Sequence, residues 1–490
     1  KAEDEFVGEK SFNVFRATAN GTYFDELQVI RGRVFDTTEY EINTSGQVHG
    51  AVIADLEKAA EGTKVTLTVT PDEGYEVESV VYDGNVVVSQ TATGWVFTMP
   101  SHSVDITATF VEKLKSVDGA FWNFSNYPVM TIDSKYRNVD IDLIAASGKT
   151  MAIDENAKNM DGFDFTQRLK LSGTGKATER LVHFIVNPGT YQIIVYGMSG
   201  SKDSERSLNI DQSTFGNTVA TLINDGNAID KVVYDVELDA ETDFYVYSAE
   251  SGFNIYAIIV ASDLTISEND GYDFTQSGVY NVQLNRTIKE GINTIILPFS
   301  MTEREVETYF GNDTKIYEFT GYVEGSVSFQ RAYNMDAFTP YIIKATEAGT
   351  SYQITGRVLA GTTDPFGYVS PTSDDCVFLG CFIPQEVDEE TLEKIQGEGS
   401  VYVISNGQFY LLNTTVSIPA TRAYFAIKNP VSETKQINIK FDDEEGETTA
   451  ILDVATGEIH NGNIYDMSGR KVSNMTRGFY IVDGKKMIIK

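Results

Sequence analysis

Hydrophobic and polar residues alternate along most of this chain. The stretch Thr63-Lys64-Val65-Thr66-Leu67-Thr68-Val69-Thr70 shows the pattern, with an apolar side chain at every second position from Val65 to Val69. Successive side chains of a β-strand point to opposite faces, so this period is typical of a strand with one buried face. The pattern predicts a mainly β fold.

Asp-Gly and Asn-Gly pairs stand beside many of these segments, for example at Asp161-Gly162 and Asp225-Gly226. Asp, Asn and Gly tolerate the positive φ angles that two-residue hairpin turns require. We therefore expect several of these pairs to form hairpin turns. Calcium binding at these pairs is left open, although none of them fits the full D-x-[DN]-x-[DN]-G loop.

Two short segments depart from this alternation and predict helices, near 302–311 and 389–396. In the first, Thr302 and Glu305 have the spacing of a capping box, and Gly311 is placed to end the helix. The second has Asp388 as its candidate N-cap. We expect both helices to belong to a module that is otherwise strand and turn.

The length of 490 residues predicts several domains, because a single core stops growing at about 250–300 residues. Strands spaced about a dozen residues apart in the second quarter of the chain predict a β-sandwich of jelly-roll type. The expected modules are an unassigned N-terminal β segment (1–37), a small β module (38–113), the jelly-roll β-sandwich (118–263), a β-rich module with the two short helices (272–441) and a C-terminal β-hairpin domain (448–490).

The charge balance limits the partners. The chain has 38 basic and 71 acidic residues, for a net charge of −33. Such a chain repels nucleic acid and anionic membrane surfaces, so we expect neither as a partner. No apolar run reaches the roughly eighteen residues that a membrane-spanning helix needs.

Recognisable catalytic motifs are absent from the sequence. The four histidines, His49, His102, His183 and His460, fall in separate segments without metal-ligand spacing. There is no Gly-x-Ser-x-Gly elbow, no phosphate-binding loop and no dinucleotide fingerprint. Paired carboxylates of a glycosidase stay open, because 71 acidic residues offer many candidates. We predict a non-enzymatic protein with no catalytic residues, metal or cofactor.

The 38–113 module contains the words EGTKVTLTVTPDEGYEVESV and WVFTMPSHSVDITATF. They resemble the divergent listerial–Bacteroides B-type repeat of adhesins and cell-wall proteins. A single copy is present, which implies a spacer or stalk unit rather than an array.

The 118–263 module contains FTQRLKLSGTG, RLVHFIVNPGTYQIIVYGMSGSKDSERSL and FYVYSAESGFNIYAIIV. These words resemble the noncatalytic sandwich module appended to bacterial pectate lyases and other polysaccharide-degrading enzymes, which implies a carbohydrate-binding-like role. The words NTIILPFSMT and IPATRAYFAI, and the tail from Asn463, resemble modules of secreted surface proteins of Bacteroides-type bacteria. The resemblances imply an extracellular or cell-surface location.

The second module also holds a locally basic stretch. Arginine and lysine match the carboxylates of uronic acids, and exposed tyrosines could stack on sugar rings. The alternative is that the tyrosines fill the sandwich core while the basic residues pair with Asp164, Asp203 or Glu205. The candidate ligand-binding residues are Arg168, Lys170, Arg180, Arg206, Tyr196 and Tyr247.

Together these observations favour a secreted or cell-surface protein of adhesion or ligand binding, with a polysaccharide or surface glycan as the ligand class and a protein ligand as the alternative. The second hypothesis is an accessory polysaccharide-capture protein related to pectate lyase systems. The third hypothesis is a polysaccharide-active enzyme. The oligomeric state is left open.

Overall fold

The computed structural model describes residues 38–490, except 84–85, 88, 92–93, 324, 370–375, 388–399, 406–407, 412–415, 429–436, 444–449, 454–457, 461–463, 467–477, 483–484 and 490. The predicted N-terminal segment 1–37 and the predicted helix 389–396 lie outside the described residues. The chain divides into two compact units, Lys1–Lys113 and Leu114–Lys490.

The first unit contains two small sheets around one core. The core is formed by apolar residues that alternate with polar ones along each strand. In the last strand the buried residues are Val104, Ile106, Ala108 and Phe110, and the residues between them are exposed. The sheet orders are β3-β1-β9-β5-β6 and β2-β4-β8-β7. The strands are β1 (Glu39–Asn43), β2 (Gly50–Ala54), β3 (Lys58–Ala60), β4 (Lys64–Pro71), β5 (Tyr75–Tyr82), β6 (Val86–Val87), β7 (Ser89–Thr91), β8 (Gly94–Thr98) and β9 (Val104–Glu112).

The second unit begins with the predicted β-sandwich. Its strands are β10 (Ser116–Val117), β11 (Ala120–Asn123), β12 (Met130–Ile132), β13 (Lys135–Asn138), β14 (Ile141–Ile144), β15 (Met151–Met160), β16 (Phe163–Leu171), β17 (Leu181–Val186), β18 (Gly189–Ser199), β19 (Arg206–Gln212), β20 (Thr218–Asn224), β21 (Asp230–Leu238), β22 (Thr242–Ser248) and β23 (Phe253–Ser267). A short 3₁₀ turn, Phe124–Asn126, follows β11.

These strands form two facing sheets. The first sheet has the order β13-β14-β17-β22-β19-β20, with β10 paired to β17. The second has the order β12-β15-β16-β23-β18-β21, with β11 paired to β23. Apolar side chains from both sheets meet in one core, which includes Trp122, Phe184 and Ile258. The mainly β prediction is confirmed.

The predicted turn at Asp161-Gly162 is confirmed. It joins β15 to β16, and its φ angles are 53° and 84°. Only residues that tolerate the left-handed region can occupy both central positions of such a turn, which is why this pair is a strong signal.

The strand β23 extends beyond the sandwich. From Phe253 to Ala261 every residue is buried, and the strand pairs with β11, β16 and β18. From Ser262 to Ser267 it pairs in parallel with β24 (Gly278–Asn285), which in turn pairs with β31 (Tyr352–Leu359). The nine-stranded sheet therefore continues into the region that follows the sandwich.

That following region contains one α-helix among the described residues, α1 (Glu303–Phe310). The predicted capping box is confirmed: the Thr302 side chain accepts from the Glu305 N–H, and the Glu305 side chain accepts from the Thr302 N–H. Gly311 follows with a φ of 103°. No helix in the described parts of the chain is both long and apolar enough to cross a membrane.

The remaining strands form a seven-stranded sheet (β25-β30-β27-β28-β39-β40-β41), a five-stranded sheet (β32-β33-β38-β35-β36), two pairs (β26-β29 and β34-β37) and a three-stranded tail (β42-β43-β44). They are β25 (Gly291–Ile295), β26 (Met301–Thr302), β27 (Lys315–Val323), β28 (Ser326–Ala332), β29 (Asn334–Met335), β30 (Tyr341–Ala345), β32 (Phe366–Val369), β33 (Cys376–Cys381), β34 (Gln385–Val387), β35 (Ser400–Ser405), β36 (Gln408–Leu411), β37 (Val416–Ile418), β38 (Arg422–Ile427), β39 (Asn438–Phe441), β40 (Ala450–Asp453), β41 (Glu458–His460), β42 (Ile464–Asp466), β43 (Gly478–Val482) and β44 (Lys485–Ile489).

The helix α1 packs against the β15–β16 hairpin of the sandwich. At this contact Arg357 Nη2 lies 2.7 Å from Glu305 Oε1, and the two side chains are only 5% and 7% exposed. The Arg357 guanidinium also lies 4.9 Å from the centre of the Phe163 ring. A second ion pair joins Arg304 to Asp164 at 2.6 Å. Buried charges and an aromatic ring thus hold the sandwich against the following region.

We predict that Glu305→Gln lowers the free energy of unfolding of the second unit by about 3–5 kcal/mol, because it leaves the Arg357 charge buried without a carboxylate. Urea denaturation followed by circular dichroism measures the change. Glu307→Gln is the matched control on the same helix and is expected to cost under about 0.5 kcal/mol. Equal losses in the two variants would contradict a special role for the buried pair.

Candidate functional site

Tyr196 lies in the protein interior. Its side chain is 0% exposed and packs with Phe163, Phe165 and Tyr256 on the outer side of the nine-stranded sheet. Its hydroxyl donates to Asp161 Oδ2 at 2.8 Å. Burial and the charge of Asp161 raise the pKa of this phenol strongly. The expectation of an exposed platform at Tyr196 is therefore wrong, because the following region covers this face of the sandwich.

Arg168 and Lys170 lie on β16. Arg168 is paired with the residue opposite it on β15: its Nε donates to Asp154 Oδ1 at 2.6 Å and its Nη2 to Asp154 Oδ2 at 3.3 Å. Lys170 lies opposite Ala152 and Asn254 and is exposed. The arginine is thus occupied by a carboxylate of its own hairpin, as in the pairing alternative, although with a different acidic residue from those the sequence indicated.

Arg180, Arg206 and Tyr247 meet at one end of the sandwich. Arg206 Nη1 donates to the Gly252 carbonyl at 2.6 Å. Gly175 lies against both Tyr247 and the Arg180 carbonyl, with no room for a Cβ. The Tyr247 side chain is largely buried there, beside the Phe215 ring at 4.6 Å. The structure brings Arg180 and Tyr247 together, and the burial of Tyr247 leaves no exposed aromatic platform there. The role of Arg180 and Arg206 in ligand binding remains a prediction.

A row of polar side chains crosses the outer face of the sheet that contains β17. We call Arg137, Asp142, His183, Tyr245 and Asp211 the polar row. Each member lies opposite the next on the neighbouring strand, along β13, β14, β17, β22 and β19. Their chain neighbours Leu143, Phe184 and Ile210 point into the core, so alternation turns the polar row away from it.

Asp142 is the anchor of the polar row. Arg137 donates to both of its oxygens at 2.7 Å, and Lys135 Nζ lies 3.1 Å from Oδ2. The carboxylate is 1% exposed. Burial by itself would raise the pKa of Asp142, but the hydrogen bonds from Arg137 and His183 outweigh it and hold that pKa well below its usual range.

His183 lies between two carboxylates. Its Nε2 is 2.7 Å from Asp243 Oδ1, and its Nδ1 is 3.7 Å from Asp142 Oδ2. The imidazole stacks on Tyr245, with ring centres 4.8 Å apart and planes within 11°. Burial, followed by the charge of Asp243, raises the pKa of the Tyr245 phenol. The two rings are therefore held parallel, and the partly exposed Asp243 carboxylate lies beside them.

The other end of the polar row is occupied within the protein. Asp211 is buried, and its two oxygens accept from the Gly216 N–H and from Thr218 Oγ1 in the β19–β20 turn. The buried members of the row are therefore Asp142 and Asp211, and its partly exposed members are Arg137, His183 and Tyr245, with Asp243 beside them. Across the described residues, no group of three or more His, Cys, Asp or Glu could hold a metal ion.

Sequence reasoning did not identify the polar row. His183 was recognised only as a histidine without a ligand partner nearby in sequence, whereas Tyr245 was one of four tyrosines that the sequence offered as a platform for a sugar ring. Both residues occupy outward-facing positions in the alternation of their strands, and this was a weak signal. The members come from five strands, so only the strand order of the sheet places them side by side.

One family model matches the chain in the first unit. The model of the divergent InlB B-repeat domain matches residues 40–114. The predicted resemblance of this module to a B-type repeat is confirmed, and it covers this part of the chain alone. No curated protein matches the chain.

Among solved structures, the matches are mostly carbohydrate-binding modules. The CBM36-1 domain of a multidomain xylanase from the hindgut metagenome of Trinervitermes trinervoides is 11% identical over 30% of this chain and 98% of that domain, with a TM-score of 0.19. A family 35 carbohydrate-binding module from Clostridium thermocellum is 12% identical over 30% and 99%, with a TM-score of 0.19. A β-glucuronidase of Bacteroides uniformis is 11% identical over 45% and 28%, with a TM-score of 0.21. Likenesses at these scores establish no function.

The depressed pKa of Asp142 predicts acid sensitivity. The carboxylate stabilises the fold above the pKa of an unfolded aspartate, about 4, and this contribution is lost as the pH falls further toward the folded value. We expect Asp142→Asn to be less stable at pH 7 by about 3–5 kcal/mol, because Arg137 loses its carboxylate. It should also lose less stability than the wild type between pH 5 and pH 3.

Urea denaturation at pH 7, 5 and 3 measures both effects. Asp239→Asn, at an exposed position before β22, should keep the pH profile of the wild type. An Asp142→Asn variant with an unchanged acid profile would show that another carboxylate controls the acid response.

Proposed function

We propose that the sandwich is a non-enzymatic glycan-binding module of a protein that works outside the cell, and that the ligand lies on the outer face of the sheet with the polar row. The observation that carries the proposal is the stacked His183–Tyr245 pair with the Asp243 carboxylate at its edge. Both rings are held by their surroundings before any ligand arrives.

The chemistry of a sugar fits this arrangement. A pyranose ring has apolar C–H faces, which pack on aromatic rings, and a rim of hydroxyls, which need hydrogen-bond partners. Tyr245 offers the ring and Asp243, whose side chain is 43% exposed, offers an acceptor. The central part of the other face of the sandwich is covered, since Tyr196, Tyr256 and Ile259 are buried beneath the following region.

The rest of the chain supports a role in adhesion or ligand presentation. The first unit matches a repeat domain in a single copy and serves as a spacer in this proposal. The net charge of −33 keeps an exported protein soluble and away from anionic surfaces.

We predict that Tyr245→Ala lowers glycan affinity about tenfold or more, because truncation of a central aromatic contact commonly costs over 1.4 kcal/mol. A glycan array identifies a binding polysaccharide, and isothermal titration calorimetry then compares the variants. Tyr333→Ala removes a tyrosine that is 64% exposed in the following region and is the matched control.

Arg206→Ala separates this site from the loop end of the sandwich, where Arg180 and Tyr247 also lie. Under the proposal, Arg206→Ala binds like the wild type. Retained binding in Tyr245→Ala together with lost binding in Arg206→Ala would move the site to the loop end.

A further inference from the structure

We infer that the outer-face site selects neutral glycans and rejects those with uronic acids. This inference rests on the proposed function and adds the charge class of the ligand. It follows from the charged groups that lie beside the His183–Tyr245 pair and from the partner that each of them has.

The cations near the rings have Asp142 as their partner. Arg137 uses Nε and Nη2 on the two oxygens of Asp142, and Lys135 Nζ approaches the same carboxylate. The Asp142 carboxylate is almost fully buried, whereas the Lys135 side chain is 41% exposed. A ligand carboxylate would have to compete with Asp142 for Arg137, in a geometry that is already bidentate.

Two basic residues elsewhere in the sandwich also have partners within the protein. Arg168 is bound to Asp154 through two hydrogen bonds, and Arg206 Nη1 donates to the Gly252 carbonyl. The fork of Arg168 is therefore engaged, whereas Arg180 Nε is buried without a hydrogen-bond partner. Lys170 is exposed but lies on the other sheet.

The exposed charged group that hydrogen-bonds directly to one of the rings is an anion. Asp243 uses Oδ1 for His183, and its side chain remains 43% exposed. A carboxylate accepts hydrogen bonds from sugar hydroxyls, whereas it repels the carboxylate of a uronic acid. The net charge of −33 adds a repulsive field against any polyanion that approaches. Local and overall charge therefore favour the same ligand class.

Binding of paired polysaccharides tests the inference. We expect arabinoxylan, mixed-linkage β-glucan or galactomannan to bind at least tenfold more tightly than polygalacturonate or alginate at 20 mM NaCl. Raising NaCl to 500 mM should leave neutral-glycan affinity unchanged and should strengthen any residual polyuronate binding, because salt screens repulsion. A basic site would give the opposite salt dependence for the polyuronate.

The Asp243→Asn variant locates the effect. The asparagine keeps an oxygen that can accept a hydrogen bond from His183 but removes the exposed negative charge. The ratio of neutral-glycan affinity to polyuronate affinity should therefore fall severalfold. Asp239→Asn removes the same charge at the exposed position before β22 and should leave the preference unchanged.

Different results would overturn the charge class of the ligand and the glycan-binding function. Tight polyuronate binding that weakens with salt would overturn the charge class and keep the sandwich as a glycan binder. Wild-type protein that binds neither group of polysaccharides would overturn the proposed function itself, and the inference with it.

Discussion

The architecture of the second unit depends on one strand, β23. Its first nine residues, Phe253–Ala261, are buried and paired within the sandwich, and its last six pair with a strand of the following region. A strand with neighbours on both sides and cover on both faces has no free surface, so its whole length must be apolar or satisfied by the ladder. Because it is continuous, the sandwich and the following region share one sheet.

This shared sheet decides which face of the sandwich is open. The following region brings Arg357 and Glu305 against the outer side of the sheet, where Phe163 and Tyr196 form an aromatic layer. The buried ion pair is costly to break, because either partner alone would leave an uncompensated charge. The opposite sheet carries the polar row on its outer face. The same contacts that join the modules therefore determine where a ligand is expected.

Local signals in the sequence were reliable wherever neighbouring residues control the outcome. The Asp161-Gly162 turn and the Thr302–Glu305 capping box were both predicted, because each depends on backbone preferences and on partners within four residues. The basic stretch of the second module did not predict the partners or the burial of its residues. Arg168 has a carboxylate partner fourteen residues away on the adjacent strand, and Tyr196 is covered by a region more than a hundred residues later. Neither contact leaves a periodic signal in the sequence.

The sequence by itself determined the mainly β class, the strand period, the turns, the helix cap and the acidic character that repels polyanions. Each of these is a property of composition or of residues close together along the chain. The tertiary structure alone decided that Tyr196 is buried, that Arg137 is committed to Asp142, and that His183, Tyr245 and Asp243 lie together. The physical reason is that strand order brings distant residues to hydrogen-bonding distance, and alternation specifies only which face of its own strand a side chain occupies.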